Sequence, residues 1–391
     1  MRSILVTGAT GSFGNECIKY LLSKNEFNRI IIFSRDEYKQ FMLSNQLRNH
    51  KNYKKLRFFL GDVRDFDRLK LACRDVDVII HAAALKHVHI VEQNIAECIK
   101  NNVLGTLVTA KVAIESQVER FILVSTDKAV NPTNAMGASK RCCELILQAL
   151  ATEKNPSFEP IWNGKSSVSI TRNTQFAIVR FGNVLGSSGS VVPYFRQQIA
   201  QGGPITLTHQ DIVRYFMTVP EAAQLVIQAC AMVGGPIKGI GAGISEYRKG
   251  KVGSKAEVYV LDMGKPIKII DLARRMVELS GLRVKDESFP QGDIAFKVIG
   301  LRPGEKLYEE LLIGKNPQAT QHPRIMKANE KFLPWSEMQP MITTLRISAM
   351  NGDVIMIRSM LQMLVPEYQP DDKMVDWVYS EKIAQADKLE Y

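Results

Sequence analysis

The first half of the chain alternates short, continuously apolar runs with stretches of helical spacing. Ile4-Leu5-Val6-Thr7, Arg29 to Phe33, Leu56 to Leu60, Val76 to His81 and Arg120 to Val124 read as five strands. Between the first two, residues 12–24 place Cys17, Ile18, Leu21 and Leu22 on one face of a helix. Strands that are apolar throughout are covered on both faces, and helices between them predict parallel pairing. The pattern therefore predicts an α/β fold, a doubly wound parallel sheet. Phe176 to Phe181 and Glu257 to Asp262 read as later strands of the same sheet. Residues 1–180 then form one domain, to which 257–262 returns. Residues 181–330 form a smaller, mostly C-terminal substrate-binding region, and 331–391 a helical tail with pieces at Val354 to Leu364 and Asp376 to Leu389. Two polar stretches, 152–174 and 234–256, read as surface insertions.

Composition narrows the class. The 391 residues are 45% hydrophobic and 23% charged, ordinary for a globular protein. No apolar run approaches the roughly 20 residues of a membrane helix. Met1 to Val6 runs directly into a strand without a signal-peptide core, so a cytoplasmic protein is expected. The six cysteines show no CxxC spacing and no nearby histidines, which predicts reduced, buried thiols and no metal site. The net charge of +11 suits either nucleic acid or a multiply charged phosphate substrate. Its lysines and arginines are dispersed and no nucleic-acid motif accompanies them, so nucleic acid is not the expected partner.

Thr7-Gly8-Ala9-Thr10-Gly11-Ser12-Phe13-Gly14 is a GxxGxxG turn from strand to helix. Gly8 permits the tight turn, Gly11 a close approach to a pyrophosphate, and Gly14 close helix–strand packing; Ser12 and Phe13 complete the loop. This is a Rossmann dinucleotide site. After the second strand come Ser34-Arg35-Asp36-Glu37. Arg35 and Ser34 suit a 2′-phosphate, favouring NADP with NAD possible, although Asp36 also suits a helix cap. Asp62 and Val63, after the third strand, are placed at the adenine. Ala82 and Ala83, after the fourth, are small enough for cofactor to pass. Asn102, in the next helix, is either a polar support for the active-site loop or a solvated helix residue.

The fifth strand ends in Ser125-Thr126-Asp127-Lys128, followed by Met136-Gly137-Ala138-Ser139-Lys140. This is the layout of a short-chain dehydrogenase site: Thr126 orients a substrate oxygen and Lys140 holds the nicotinamide ribose. Met136 stands where the proton-exchanging tyrosine belongs, though methionine near a helix start is also ordinary core filler. Asp127 and Lys128 offer an acid and a base at the sheet edge where ligands bind, against the plainer reading of an exposed charge pair.

The run from Ser125 to Lys140 closely resembles the UDP-N-acetylglucosamine 4,6-dehydratases, extended short-chain dehydrogenases of bacterial glycan synthesis. His81 to Lys86, Arg180 to Val184, Asp211 to Met217 and Arg302 to Glu310 match in order, so the likeness spans about residues 3–330. The resemblance implies a redox-neutral dehydration of UDP-N-acetylglucosamine to a UDP-4-keto-6-deoxy sugar. Lys128 would remove the C5 proton and Asp127 protonate the C6 hydroxyl, the site shifting both towards their neutral forms. The acceptor of the C4 hydroxyl proton stays open between Asp127, Lys128 and a water held by Thr126. Lys86, Asn183, Arg214, Arg302 and Glu305 would bind the nucleotide sugar, although Pro303-Gly304 also looks like a plain turn. A homo-oligomer is expected by the same analogy. The segment from Arg302 to Met326 is similar to the large membrane-linked branch, many of which retain C5, so retention is expected. The alternatives are a C5-inverting dehydratase, a nucleotide-sugar epimerase or ketoreductase, and a non-catalytic NADP-binding module.

Overall fold

In the computed structural model, residues 2–158, 171–233, 255–313, 317–371 and 373–386 are described. Most of both polar insertions lies outside them. Among the described residues the main sheet has nine strands: β1 Ser3–Thr7, β2 Arg29–Ser34, β3 Leu56–Leu60, β4 Val78–His81, β5 Arg120–Val124, β6 Gln175–Arg180, β7 Glu257–Leu261, β8 Gln318–Ala319 and β9 Ile325–Ala328. Their order is β8-β9-β7-β6-β5-β4-β1-β2-β3. Neighbours from β3 to β7 pair in parallel, while β9 and β8 close the edge antiparallel. This is the doubly wound α/β fold that the apolar runs predict.

Side-chain alternation sorts the strands onto two cores. Ile4, Val6, Ile30, Ile32, Ile122 and Val179 face one side, with helix Ser12–Lys24 and helix Val219–Met232 over them. Leu5, Ile31, Phe33, Phe121, Leu123 and Ile178 face the other, covered by helices Gly105–Glu115 and Ala135–Thr152. A third, smaller cluster around Phe195, Ile205, Ile212, Ile269 and Ile294 holds the region between β6 and β8 together.

Helices Trp335–Asn351 and Val354–Leu364 add an outer layer. Their Trp335, Met338, Ile342, Leu345, Ile357 and Leu361 join the core cluster of helix Ala135–Thr152. That helix is consequently buried at every residue from Ala135 to Ala151, the signature of a helix enclosed on all sides. All six cysteines are buried and unpaired. No helix among the described residues is long and apolar enough to cross a membrane.

Candidate active site

The order of the sheet reverses between β1 and β4, and ligands of such sheets bind in the crevice beyond the strand ends there. The glycine turn lies at that point. Gly8 has φ +63°, and a Cβ on it would sit 2.8 Å from the Ala83 nitrogen. A Cβ on Gly14 would strike the Gly8 carbonyl oxygen. Gly11 is the N-cap of helix Ser12–Lys24, with its first turn free of acidic residues. The Thr7 hydroxyl accepts from the Ala82 and Ala83 amides at 3.1 and 3.2 Å, so β1 and β4 deliver their loops to one place. Behind them His81 bridges Thr7 (2.9 Å) and Thr106 (3.2 Å), and burial, with the nearby charge of Lys140, pushes its imidazole down to about 3. Ser12 and Phe13 turn towards the loop after β6: Ser12 Oγ accepts from the Ser188 amide at 3.0 Å, and the Phe13 ring lies 5.8 Å from that of Phe181. Lys86 donates to the Ser188 carbonyl at 2.8 Å from the opposite wall, and burial pulls its ammonium down.

At the far end of the crevice, Asp36 caps helix Glu37–Leu47 by accepting from the Lys39 amide. Arg35 remains half exposed, 3.5 Å from Asp62. Burial works against the Asp62 charge. The two hydrogen bonds from the Arg64 guanidinium, at 3.0 and 2.8 Å, outweigh it and hold the carboxyl below its usual range. Ser34 is buried and its hydroxyl accepts from Gln40 at 3.0 Å. Val63 is buried against Gly105.

The acid–base cluster is built on the turn after β5. Thr126 caps the short 3₁₀ turn Asp127–Ala129, and its hydroxyl donates to Asp127 Oδ1 at 2.8 Å. Asp127 is completely buried; Oδ1 also accepts from Lys128 Nζ at 3.0 Å, while Oδ2 has no partner. Lys128 Nζ donates to Asn183 Oδ1 at 3.0 Å and lies 3.6 Å from Glu309 Oε1. Burial alone would pull this lysine down. The Asp127 and Glu309 charges outweigh burial and hold it above the ordinary lysine range. Lys128 is thus biased towards its charged form, opposite to the shift towards neutrality that the resemblance implies, because two carboxylates face one amine.

Met136 is buried in the apolar cluster at the first turn of its helix and offers no titratable group. The next residue must be glycine, since a Cβ on Gly137 would overlap the Lys128 carbonyl oxygen. The helix start is thus pressed onto the Asp127–Ala129 turn. Lys140 is buried, donates to the Val124 carbonyl at 2.7 Å, and is pulled down by that burial. Asn102 is buried in a π-helical stretch, Ile99–Leu104. It accepts from the Leu85 amide (2.7 Å) and donates to the Leu85 carbonyl and Ser139 hydroxyl (both 3.0 Å), so it is a support for the loop after β4.

The remaining substrate candidates come from the second region. Arg214 is buried, and its guanidinium donates to the carbonyls of Val213, Lys306 and Leu307 at 2.7–3.1 Å, within 3.8 Å of Glu305 and Glu309. Glu305 accepts from the Thr208 hydroxyl and the Arg302 amide, and Arg302 itself is exposed. Asn183 presents its carbonyl to Lys128 rather than an amide to open space. The structure thus gathers Thr126, Asp127, Lys128, Asn183, Arg214 and Glu305, and keeps Arg35 and Asp62 at the distant end.

Sequence reasoning missed Glu309 and the charges beneath the turn. Nothing in Tyr308-Glu309-Glu310 separates the two glutamates. Folding does: Glu309 is buried, while Glu310 accepts from Asn131 on the surface. Below, Ser125 donates to Glu144 at 2.6 Å. Glu144 and Glu330 share the buried Arg141 and Arg180. Burial pushes Glu144 up, but the arginines outweigh it and hold it at about 2.

A doubly wound sheet with a glycine-rich strand-to-helix turn at its switch point and a Thr-Asp-Lys cluster beyond the fifth strand defines a protein of the extended short-chain dehydrogenase class. The chain belongs to the family described as polysaccharide biosynthesis protein, whose profile matches residues 4–237 and 247–330. It is 40% identical over 314 residues to the capsular polysaccharide biosynthesis protein CapD of Staphylococcus aureus, covering 80% of this chain but 45% of that protein. It is 34% identical over 320 residues to a UDP-N-acetylglucosamine 4,6-dehydratase (inverting) of Campylobacter jejuni, 82% of this chain and 80% of the relative. A UDP-glucose 4-epimerase of Rickettsia typhi is also 34% identical, over 315 residues, 80% of this chain and 77% of the relative. Among solved structures, Pen from Bacillus thuringiensis aligns with TM-score 0.67 and 29% identity over 88% of this chain and 97% of its own.

Proposed function

We propose that the protein is a UDP-N-acetylglucosamine 4,6-dehydratase that removes water without net oxidation and yields a UDP-4-keto-6-deoxy-N-acetylhexosamine. The observation that carries this reading is the Asp127–Lys128 pair at the end of β5, beside a helix start where methionine replaces the tyrosine an epimerase or ketoreductase needs. The crevice would hold NADP: without a Cβ, Gly8 and Gly14 let the β1 turn pack against the loop after β4 and the first helix, and that helix begins at the crevice. Gly8, Gly11, Ser12, Gly14, Ala82 and Ala83 would hold its phosphates and Lys140 its nicotinamide ribose. Arg35 beside Asp62 would hold its adenosine end. When bound, the cofactor supplies a hydride acceptor that also returns the hydride.

The side chains supply the rest. Moving one proton across the 3.0 Å bond from Lys128 Nζ to Asp127 Oδ1 converts ammonium and carboxylate into amine and acid. Those are the forms needed to take the C5 proton and to protonate the departing C6 hydroxyl. Lys128, whose amine protons exchange with solvent, then protonates C5. The C4 hydroxyl proton, passed to a water held by Thr126, returns to Lys128 and restores the starting pair. Exclusion of water by a bound sugar favours this neutral pair, because burial penalises charge. Thr126 and Asn183 hold the two groups in register throughout. Arg214, Arg302 and Glu305 form the nucleotide-sugar end, with Lys86 at the cofactor edge. At C5 we favour retention, Lys128 delivering a solvent-derived proton to the face from which it took the first.

The test is incubation of the purified protein with UDP-N-acetylglucosamine in heavy water. The expected product has lost one water and carries deuterium at C5, where the coupling pattern reads the configuration. An isomer of unchanged mass would support the epimerase reading instead. Lys128→Met and Asp127→Asn should each lower kcat by about 10²–10⁴-fold, the usual contribution of a positioned acid or base; wild-type rates in either variant would sink the assignment.

A further inference from the structure

Glu309 reaches the acid–base cluster from a segment far along the chain, and its geometry is unusual. The side chain is only 4% exposed. Its Oε1 lies 3.6 Å from Lys128 Nζ and 3.8 Å from Arg214 Nε, and its Oε2 is buried without a hydrogen-bond partner. A buried carboxylate oxygen without a donor is costly, so a structural role alone accounts poorly for it. Nor does Arg214 depend on Glu309 as a partner, since that guanidinium already donates to three carbonyls and faces Glu305. What Glu309 changes is Lys128. The charged groups facing that amine are Asp127 on its own turn, Glu309 from the 305–310 segment, and Arg214 opposite, with Glu305 behind Arg214.

We propose that Glu309 is a positioning residue that acts through Lys128, sharing its amine with Asp127 and setting how readily that nitrogen releases a proton. With Asp127 alone, one carboxylate would balance one ammonium and the proton would pass easily between them. The second carboxylate biases the lysine towards its charged form until a ligand rearranges the cluster. The contact stands whatever the substrate; its effect on turnover rests on the dehydratase reading.

The experiment measures the pH dependence of Lys128 carbamylation by cyanate, read by peptide mass spectrometry on the full chain. Only the neutral amine reacts, and the Lys128 side chain is 20% exposed, so the reagent can reach it. Glu309→Gln keeps the shape and removes the charge. Its Lys128 should react at least about tenfold faster than wild type at a given pH, the equivalent of one pKa unit. Glu309→Asp keeps the charge, and its profile should lie nearer wild type. Superimposable wild-type and Gln profiles, or an Asp profile equal to the Gln one, would overturn the proposal. The heavy-water assay is read separately. If wild type forms no dehydrated product, the dehydratase reading fails, while the carbamylation profiles still decide the role of Glu309.

Discussion

Asp127 and Lys128 are neighbours in sequence, and on a continuing strand their side chains would point to opposite faces. The 3₁₀ turn capped by Thr126 changes that direction and lets the amine meet the carboxylate at 3.0 Å. Met136, at the start of the helix packed on that turn, adds no titratable group beside it. His81, at the end of β4, is buried between two threonines. Its imidazole is pushed down to about 3 when folded, from 6.5 when free. The unfolded chain therefore binds the proton more readily, so stability from this group is complete above about pH 6.5 and is lost as pH falls from there towards 3. Chemical denaturation between pH 7 and 4.5 should show this as a slope of up to about 1.4 kcal/mol per pH unit. His81→Gln, which cannot titrate, should flatten that part of the profile; an unchanged slope would contradict the assignment.

Among the elements, helix Ala135–Thr152 carries the site, and its surroundings explain the tail. The family profile ends at residue 330, yet the residues beyond it cover the outer side of this helix and reach the active-site loops. The Gln369 amide donates to the Pro132 carbonyl at 2.9 Å, and Asp371 accepts from the Gly304 amide at 2.6 Å. The Gly304 carbonyl in turn accepts from Thr133 and Asn134. The turn that bears Arg302 and Glu305 is therefore clasped between the loop at Thr133 and Asn134 and the tail. Asp371→Ala removes one part-buried hydrogen bond of an exposed residue and should leave global stability within about 1 kcal/mol. It should raise KM for the nucleotide sugar several-fold with kcat little changed, as steady-state kinetics would show. An unaltered KM would mean that the clasp does not position the turn.

At the scale of the whole molecule, Arg141, Glu144, Arg180 and Glu330 form a closed buried charge network beneath Ser125. It joins the enclosed helix, the sheet interior at β6 and the chain just after β9. Removing one member leaves buried arginines short of charge, at a cost of about 3–5 kcal/mol. Glu330→Gln should lower unfolding free energy by that amount in denaturant titration, and a loss under about 1 kcal/mol would show that the network relaxes freely.

The sequence by itself determined the parallel strands β1 to β7 and the glycine turn, and it set the expected chemical character of the site. Those features rest on local rules: apolar runs covered on both faces, a turn only glycine can make, and an acid–base pair at a strand end. Helix 12–24 and the 56–60 strand are found where the spacing puts them. Asn102 was readable as a polar candidate, but its choice between support and solvated surface waited for the contacts to Leu85 and Ser139. Only the tertiary structure decided the charge of Lys128, the difference between Glu309 and Glu310, the network under Ser125 and the work of the tail. Each depends on which groups from distant parts of the chain share one buried volume, because burial and opposing charges set both proton affinity and the cost of an unmet polar atom.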